Sequence, residues 1–129
     1  MATIMLIEDA IDTRDLVIMI LEMAGHNVLS AATGEAGIVE LESLRPDVVL
    51  LDISLPGKLN GLDIAEKLRA DSEFDRIPII ALTAHAMPED ERKSLAAGCD
   101  RHITKPILDL ESFSEIVSRY AEKGRNASV

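Results

Sequence analysis

The sequence predicts an α/β fold built on a parallel sheet, and three observations support this. Short apolar runs alternate along the chain with segments of helical periodicity. Three of these runs are continuous rather than alternating in polarity, which is typical of strands buried on both faces of a sheet. The strand-then-helix order repeats five times. This order favours a parallel sheet with right-handed crossovers and helices on both faces.

Five strands are predicted, at 4–7, 27–31, 48–51, 77–82 and 100–104. The second and fifth have mixed polarity, which fits strands at the two edges of the sheet. The other three are apolar and stop abruptly at Glu8, Asp52 and Thr83.

The helices between the strands have recognisable ends. The predicted starts are Asp12 or Thr13 as the first cap, Thr33 as the second, Asn60 as the third, Pro88 in the first turn of the fourth and about Asp109 for the fifth. Gly25 and Gly98 are expected to close the first and fourth helices, because glycine tolerates the positive φ of a helix end.

The composition restricts the class of protein. The chain has 129 residues and a net charge of −10, so it fits one domain and lacks the basic surface of a nucleic-acid binder. Its start lacks the basic region and the long apolar region of a signal peptide, so none is expected, and no run approaches about 20 apolar residues. Cys99 is the only cysteine and is expected to be a buried structural thiol. We expect a cytoplasmic, complete gene product with a domain at 1–123 and a flexible tail at 124–129.

Polar residues cluster at the predicted strand ends. Glu8, Asp9, Asp52, Thr83 and Lys105 all follow strands, and parallel strands place such residues at one crevice. Two carboxylates about 4 Å apart repel by roughly 4 kcal/mol at an effective dielectric constant near 20. Either one is protonated or a cation binds, and Mg²⁺ or Mn²⁺ suits oxygen ligands. With a hydroxyl and an ammonium nearby, the site is suited to phosphoryl transfer onto Asp52.

These motifs resemble those of a known family in their joint order and spacing. The motifs are Ile4-Met5-Leu6-Ile7-Glu8-Asp9, the segment 47–57 around Asp52, Ala81-Leu82-Thr83-Ala84 and the segment 98–106 that ends in Lys105-Pro106. Over residues 2 to 122 the chain resembles the receiver domain of bacterial two-component response regulators. The resemblance implies a three-layer, flavodoxin-like (βα)5 fold with sheet order 2-1-3-4-5.

The resemblance also implies roles at the matching positions. Asp52 would be the phosphoacceptor. Asp9 and Asp52 would bind Mg²⁺ directly, with Glu8 acting largely through water and the backbone carbonyl of Ser54 as a further ligand. Thr83 would donate a hydrogen bond to the phosphoryl group.

Lys105 would form a salt bridge to the phosphoryl group, and the Lys105–Pro106 peptide bond would be cis. The lifetime of the phosphoryl group would be tuned beside the site, at Ser54, Ala84 and His85.

Three positions depart from the family pattern. His102 stands where the family has an aromatic switch residue, and we weigh a switching His102 against one that stays exposed. The segment Gly57–Gly61 is one residue longer than usual, which is either a tolerated surface insertion or a change in kinase docking.

The first helix has a core stripe of Leu16, Val17, Ile20 and Ala24. Ile11 and Ile18 are expected on its opposite face, as a hydrophobic partner patch.

The sequence therefore predicts a stand-alone phosphoacceptor that receives phosphate from a histidine kinase or a histidine phosphotransfer protein. Output would come from protein contact or phosphate relay, with no DNA or membrane partner. The face formed by the fourth helix, fifth strand and fifth helix is a candidate homodimer surface. The alternative is an interaction module that works without phosphorylation. An aspartate-nucleophile phosphatase is disfavoured because Ser54 stands where such enzymes carry a second Asp, so the chain is expected not to be an enzyme beyond its own phosphorylation and dephosphorylation.

Overall fold

The polypeptide alternates strand and helix throughout its described length. The computed structural model describes residues 2–84 and 87–127. The elements are β1 (Thr3–Ile7), α1 (Ile11–Met23), β2 (Asn27–Ala31), α2 (Gly34–Ser43), β3 (Val48–Asp52), α3 (Gly61–Arg69), β4 (Ile79–Thr83), α4 (Pro88–Ala96), β5 (Arg101–Thr104) and α5 (Leu110–Lys123), with short 3-10 turns at Ser72–Phe74 and Gly124–Asn126. Each predicted strand and helix is present, with small shifts at its ends.

The five strands form one parallel sheet in the order β2-β1-β3-β4-β5. This confirms the predicted fold class and places β2 and β5 at the edges. The chain steps outward from β1 to β2 and then returns to the other side of β1 to form β3. A crevice opens between the carboxyl ends of β1 and β3 at such a reversal of strand order.

Alternate residues of the central strands supply two separate cores. On β1, Ile4 and Leu6 pack on the side of α1 and α5, whereas Met5 and Ile7 pack on the side of α2 and α3. All four side chains are fully buried. Because β1, β3 and β4 are buried on both faces, their ends are held rigidly by packing.

The predicted helix starts are confirmed for four of the five helices. The Thr33 hydroxyl and the Asp109 carboxylate accept backbone N–H groups at the starts of α2 and α5. Asn60 and Asp63 form a reciprocal capping box at the start of α3, and Pro88 is the first residue of α4. Within residues 2–84 and 87–127, none of the helices combines the length and apolar character needed to cross a bilayer.

The start of α1 differs from the prediction. Its N-cap is Ala10, which provides no side-chain hydrogen bond, so the assignment of Asp12 or Thr13 as cap was wrong. The reason lies in the preceding strand end, because the N–H of Ala10 donates to the Glu8 carboxylate at 3.1 Å and the helix begins directly afterwards. Asp12 instead lies in the first turn, where the helix dipole favours a negative charge.

The core stripe of α1 also differs in one position. Val17 and Ile20 are buried as predicted and Leu16 packs partly against the same core, but Leu21 is fully buried in place of Ala24. Ala24 is the C-cap of the helix and is exposed, because the helix ends one residue earlier at Met23.

An ion-pair cluster centred on the buried Asp100 carboxylate joins the starts of β4 and β5 to Arg125, which follows α5. Asp100 accepts from Arg69 Nη2 at 2.9 Å, from the Ile79 N–H at 2.9 Å and from Arg125 Nε at 2.8 Å. The Asp100 side chain is only 10% exposed. The segment predicted as a flexible tail therefore begins with a turn that packs back onto the domain, a contact that the sequence did not indicate.

Cys99 lies in the core on the α2 and α3 side of the sheet. Burial, with the negative charge of Asp100 beside it, raises the pKa of the thiol to about 12. The thiol is therefore neutral and unreactive at physiological pH, as predicted for a structural cysteine.

Replacing Asp100 with Ala is expected to lower the free energy of unfolding by about 3 kcal/mol, because the buried Arg69 guanidinium loses its charged partner. The matched control is Glu73→Ala, which removes the exposed Arg45–Glu73 pair at 3.0 Å and should cost less than about 1 kcal/mol. Urea unfolding measures both. Equal losses in the two variants would contradict a special role for the Asp100 cluster.

Candidate functional site

Three carboxylates meet at the crevice between β1 and β3. Glu8 and Asp9 follow β1, and Asp52 is the last residue of β3. Each offers a carboxylate oxygen, and these oxygens all lie within 4.8 Å of one another. Glu8 is fully buried and Asp52 is 3% exposed, whereas Asp9 is exposed. The cluster that the sequence predicts is therefore assembled, with Asp9 as its solvent-facing member.

Lys105 supplies a positive charge beside the two buried carboxylates of the cluster. Its Nζ lies 2.8 Å from Glu8 Oε1 and 3.6 Å from Asp52 Oδ2. The other Glu8 oxygen accepts the Ala10 N–H. Glu8 is thus hydrogen-bonded at both oxygens, and the Lys105 ammonium pairs more closely with Glu8 than with Asp52.

The environment of Asp52 disfavours its charged form. Burial raises the pKa of the Asp52 carboxyl and the neighbouring Glu8 carboxylate raises it further, while the Ser54 N–H at 3.0 Å and the Lys105 ammonium only partly offset this. For Lys105, burial lowers the pKa, but the Glu8 hydrogen bond and the charges of Asp52 and Glu8 outweigh it, so the pKa is raised. The ionised cluster therefore contains repulsion that an added cation would relieve.

The remaining predicted residues of β4 and its loop lie at the same edge of the sheet. Thr83 is buried at the end of β4, opposite Thr104 of β5, and its carbonyl accepts the Lys105 N–H at 2.6 Å. Ala84 is exposed. His85 lies outside the described residues, so its predicted tuning role stays a prediction.

Two features implied by the family resemblance concern the backbone. The Lys105–Pro106 peptide bond is cis, as the resemblance implies. Ser54 is exposed and its N–H donates to Asp52 Oδ1, which places its backbone directly beside the Asp52 carboxylate. The predicted use of its carbonyl as a metal ligand stays a prediction.

His102 contacts α4 instead of facing solvent. Its side chain is half-buried on β5, and its Nδ1 lies 3.2 Å from the Ser94 hydroxyl. Ser94 is 1% exposed, and its hydroxyl donates to the Asp90 carbonyl at 3.2 Å. Both interpretations of His102, as a switch residue and as one that stays exposed, stay predictions. Ser94 was missed because nothing in the polar sequence of α4 marks it as the inward-facing residue.

The second residue that the sequence did not indicate is Glu35, whose carboxylate accepts two backbone N–H groups from the β3–α3 loop. Its position in the first turn of α2 is visible in the sequence, but its partners lie more than 20 residues away.

The family comparison agrees with this geometry. The model of the response regulator receiver domain matches residues 4–118 of the chain. The chain belongs to the receiver domain family of response regulators. The acidic cluster, Lys105 and Thr83 thus lie in a receiver domain of two-component signalling.

The receiver domain is similar to proteins from several bacteria. It is 33% identical over 118 residues to the polar-differentiation response regulator DivK of Brucella anthropi, covering 92% of this chain and 94% of DivK. It is 38% identical over 117 residues to the probable transcriptional regulatory protein TcrX of Mycobacterium tuberculosis, covering 91% of this chain and 47% of TcrX. Several curated relatives are longer proteins, of which the chain spans between 15% and 49%.

A solved structure of a similar receiver domain has a metal ion bound in its active-site cleft. The receiver domain of the sensor histidine kinase PA1611 from Pseudomonas aeruginosa has a TM-score of 0.85 and 30% sequence identity, and the match covers 95% of this chain and 98% of that one. That structure contains a magnesium ion coordinated in its active-site cleft.

Replacing Asp52 with Asn is expected to raise the free energy of unfolding at pH 7 without divalent ions, because burial and the neighbouring Glu8 carboxylate raise the pKa of the Asp52 carboxyl. A raised pKa means that the charged carboxylate destabilises the folded state at any pH above that pKa. The gain should therefore shrink as the pH falls toward the usual value of 3.8 and vanish below it.

Urea unfolding in the presence of a chelator at several pH values tests this expectation. The control is Asp15→Asn, which neutralises an exposed carboxylate of α1 and should change the stability little. An Asp52→Asn protein that is less stable than the wild type at pH 7 would contradict the electrostatic account.

Proposed function

We propose that this receiver domain accepts a phosphoryl group on Asp52 from the phosphohistidine of a histidine kinase or a histidine phosphotransfer protein. The observation that carries the proposal is the environment of Asp52. Its buried carboxylate lies 3.6 Å from an ammonium group and within 4.8 Å of two further carboxylates, at the strand-order reversal of the sheet. Family membership gives this arrangement its reaction class.

The acidic cluster fits a hard divalent cation such as Mg²⁺ or Mn²⁺. Its donors are oxygens, and the exposed Asp9 gives access from solvent. Asp9, Asp52 and the Ser54 carbonyl would hold the ion. The positive charge of the ion would neutralise the phosphoryl oxygens. Glu8 would act through water, which agrees with its two existing hydrogen bonds from Lys105 and Ala10.

In the proposed reaction an Asp52 carboxylate oxygen attacks phosphorus in line. The phosphorus–oxygen bond forms as the phosphorus–nitrogen bond of phosphohistidine breaks, and the departing imidazole nitrogen takes a proton from water, so that the histidine leaves in its neutral form. Lys105 then turns from Glu8 toward the new phosphoryl oxygens, and the Thr83 hydroxyl donates to one of them. Water later hydrolyses the acyl phosphate, so the chain acts on itself and not on an outside substrate.

The phosphoryl group would carry a charge of about −2 where the carboxylate carried −1, and the new contacts would shift the population between two arrangements of the domain. We propose that the shift is read on the face formed by α4, β5 and α5, where His102 joins β5 to Ser94 of α4. Output then follows by contact with another protein, by phosphate relay or by homodimer formation. The cytoplasmic location and the absence of DNA and membrane partners stay predictions from the sequence.

Incubation with Mg²⁺ and acetyl phosphate is expected to give a phosphate-sized mass gain in intact-mass spectra. The gain should be absent in Asp52→Asn, which lacks the nucleophile, and present in Asp15→Asn. No gain in the wild type would overturn the proposal and favour an interaction module that works without phosphorylation.

The partner surface on α1 differs in composition from the prediction. Ile11 is 63% exposed as expected, but Ile18 is half-buried and packs against the core, so its predicted place on the face opposite the core was wrong. Met19 and Met23 are 50% and 81% exposed on the same helix. We propose that the kinase or phosphotransfer protein contacts this α1 surface, formed by Ile11, Met19 and Met23, because methionine adapts to apolar partners.

Replacing Met19 with Arg is expected to slow phosphotransfer from the partner by about tenfold, the effect of losing one central contact residue. Phosphorylation by acetyl phosphate should be unchanged, because the site is intact. The measurement uses autophosphorylated kinases from the same genome. The control is Val39→Arg, which alters an exposed apolar residue of α2. Equal rates for the two variants would place the docking surface elsewhere.

A further inference from the structure

The loop between β3 and α3, residues 53–60, begins at the phosphoacceptor and is held against it. The Ser54 N–H donates to Asp52 Oδ1 at 3.0 Å, and the Gly61 N–H donates to the Ile53 carbonyl at 3.1 Å. A Cβ atom at Gly61 would collide with the Asp52 carbonyl oxygen. A change in the path of this loop therefore reaches the backbone of Asp52 and Ser54 directly.

The far side of the loop is fixed by one carboxylate. Glu35 Oε1 accepts the N–H groups of both Lys58 and Leu59, each at 3.1 Å. Gly57 precedes them with a φ of +91°, which turns the two N–H groups toward α2. Hydrogen bonds from the backbone of Glu35, Leu59 and Lys58 lower the pKa of the Glu35 carboxyl, so the acceptor is ionised at neutral pH. This segment contains the residue by which the loop exceeds the usual length.

A steric contact fixes the loop at the same place. A Cβ atom on Gly34 would lie 2.7 Å from the Leu59 carbonyl oxygen and 2.7 Å from Ile64 Cδ1, so only glycine allows the loop to approach α2 this closely. The Leu59 side chain packs partly against the core. At the start of α2, Gly34 thus allows the loop to approach closely and Glu35 binds it by hydrogen bonds.

We infer that Glu35 is a positioning residue for the phosphoacceptor site. By holding Lys58 and Leu59, its carboxylate holds the β3–α3 loop in the path that keeps the Ser54 backbone beside Asp52. The inference rests on the proposed function for its effect on phosphorylation, but its effects on loop order and on metal affinity stand independently of phosphate. The longer loop is then an ordered part of the site, held by hydrogen bonds, and not a flexible surface insertion.

The test compares Glu35→Ala with Glu35→Gln, which keeps an acceptor oxygen. The matched control is Glu40→Ala, because Glu40 is exposed on the same helix and carries the same charge. The first readout is amide hydrogen exchange of Lys58 and Leu59, measured by NMR. The second is the Mg²⁺ dissociation constant, measured by titration calorimetry. The third is the rate of phosphorylation by acetyl phosphate.

In Glu35→Ala the exchange of both amides should accelerate, the Mg²⁺ dissociation constant should rise about three- to tenfold and phosphorylation should slow by a similar factor. These effects are smaller than the roughly 10–100-fold typical of groups that touch metal ligands. Glu35→Gln should recover most of each loss, and Glu40→Ala should match the wild type.

Unchanged Mg²⁺ affinity and amide exchange in Glu35→Ala would overturn the inference, as would a Glu35→Gln protein as impaired as Glu35→Ala. A wild type that binds Mg²⁺ but takes no phosphate would overturn the proposed function alone. The exchange and affinity measurements would then still decide the role of Glu35.

Discussion

The mutual repulsion of Glu8, Asp9 and Asp52 is the constraint on which the site depends. The carboxylates do not move apart, because Glu8 and Asp52 are buried at the ends of strands whose apolar side chains pack on both faces. Lys105 offsets one negative charge, and burial leaves the pKa of Asp52 raised. The fold thus stabilises an arrangement that is electrostatically incomplete by itself.

The position of Lys105 links this charge imbalance to the proposed signal. Its ammonium lies closer to Glu8 than to Asp52, at 2.8 Å against 3.6 Å. A phosphoryl group on Asp52 would present a stronger negative charge, so Lys105 would change partner over a short distance. Because its backbone N–H donates to the Thr83 carbonyl, such a movement would act directly on β4 and the start of the β4–α4 loop. The contact between Ser94 and His102 connects α4, the helix that follows this loop, to β5 beside β4.

The sequence predicted the features that depend on local pattern. Strand positions followed from continuous apolar runs, helix starts followed from capping residues such as Thr33 and Asn60, and the meeting of Glu8 with Asp52 followed from parallel strands ending at one edge. The errors have a different origin. The cap of α1 was misplaced because Glu8 satisfies the Ala10 N–H through its side chain, which no local pattern reveals.

Side-chain contacts away from the shared edge of the strands could not be predicted when they join distant segments. Arg125 meets Asp100, Ser94 meets His102, and Glu35 meets the β3–α3 loop only after the sheet has formed. Polar side chains of these types are common on surfaces, so their composition carries no signal.

Paramagnetic broadening by Mn²⁺ tests the central claim most directly, because it locates the cation that we propose the carboxylate cluster binds. The account predicts that substoichiometric Mn²⁺ first broadens the backbone amide resonances of Asp9, Asp52 and Ser54, and that Asp52→Asn weakens this effect. Broadening that spreads evenly over the acidic surface, or that centres on another group of carboxylates, would contradict the account.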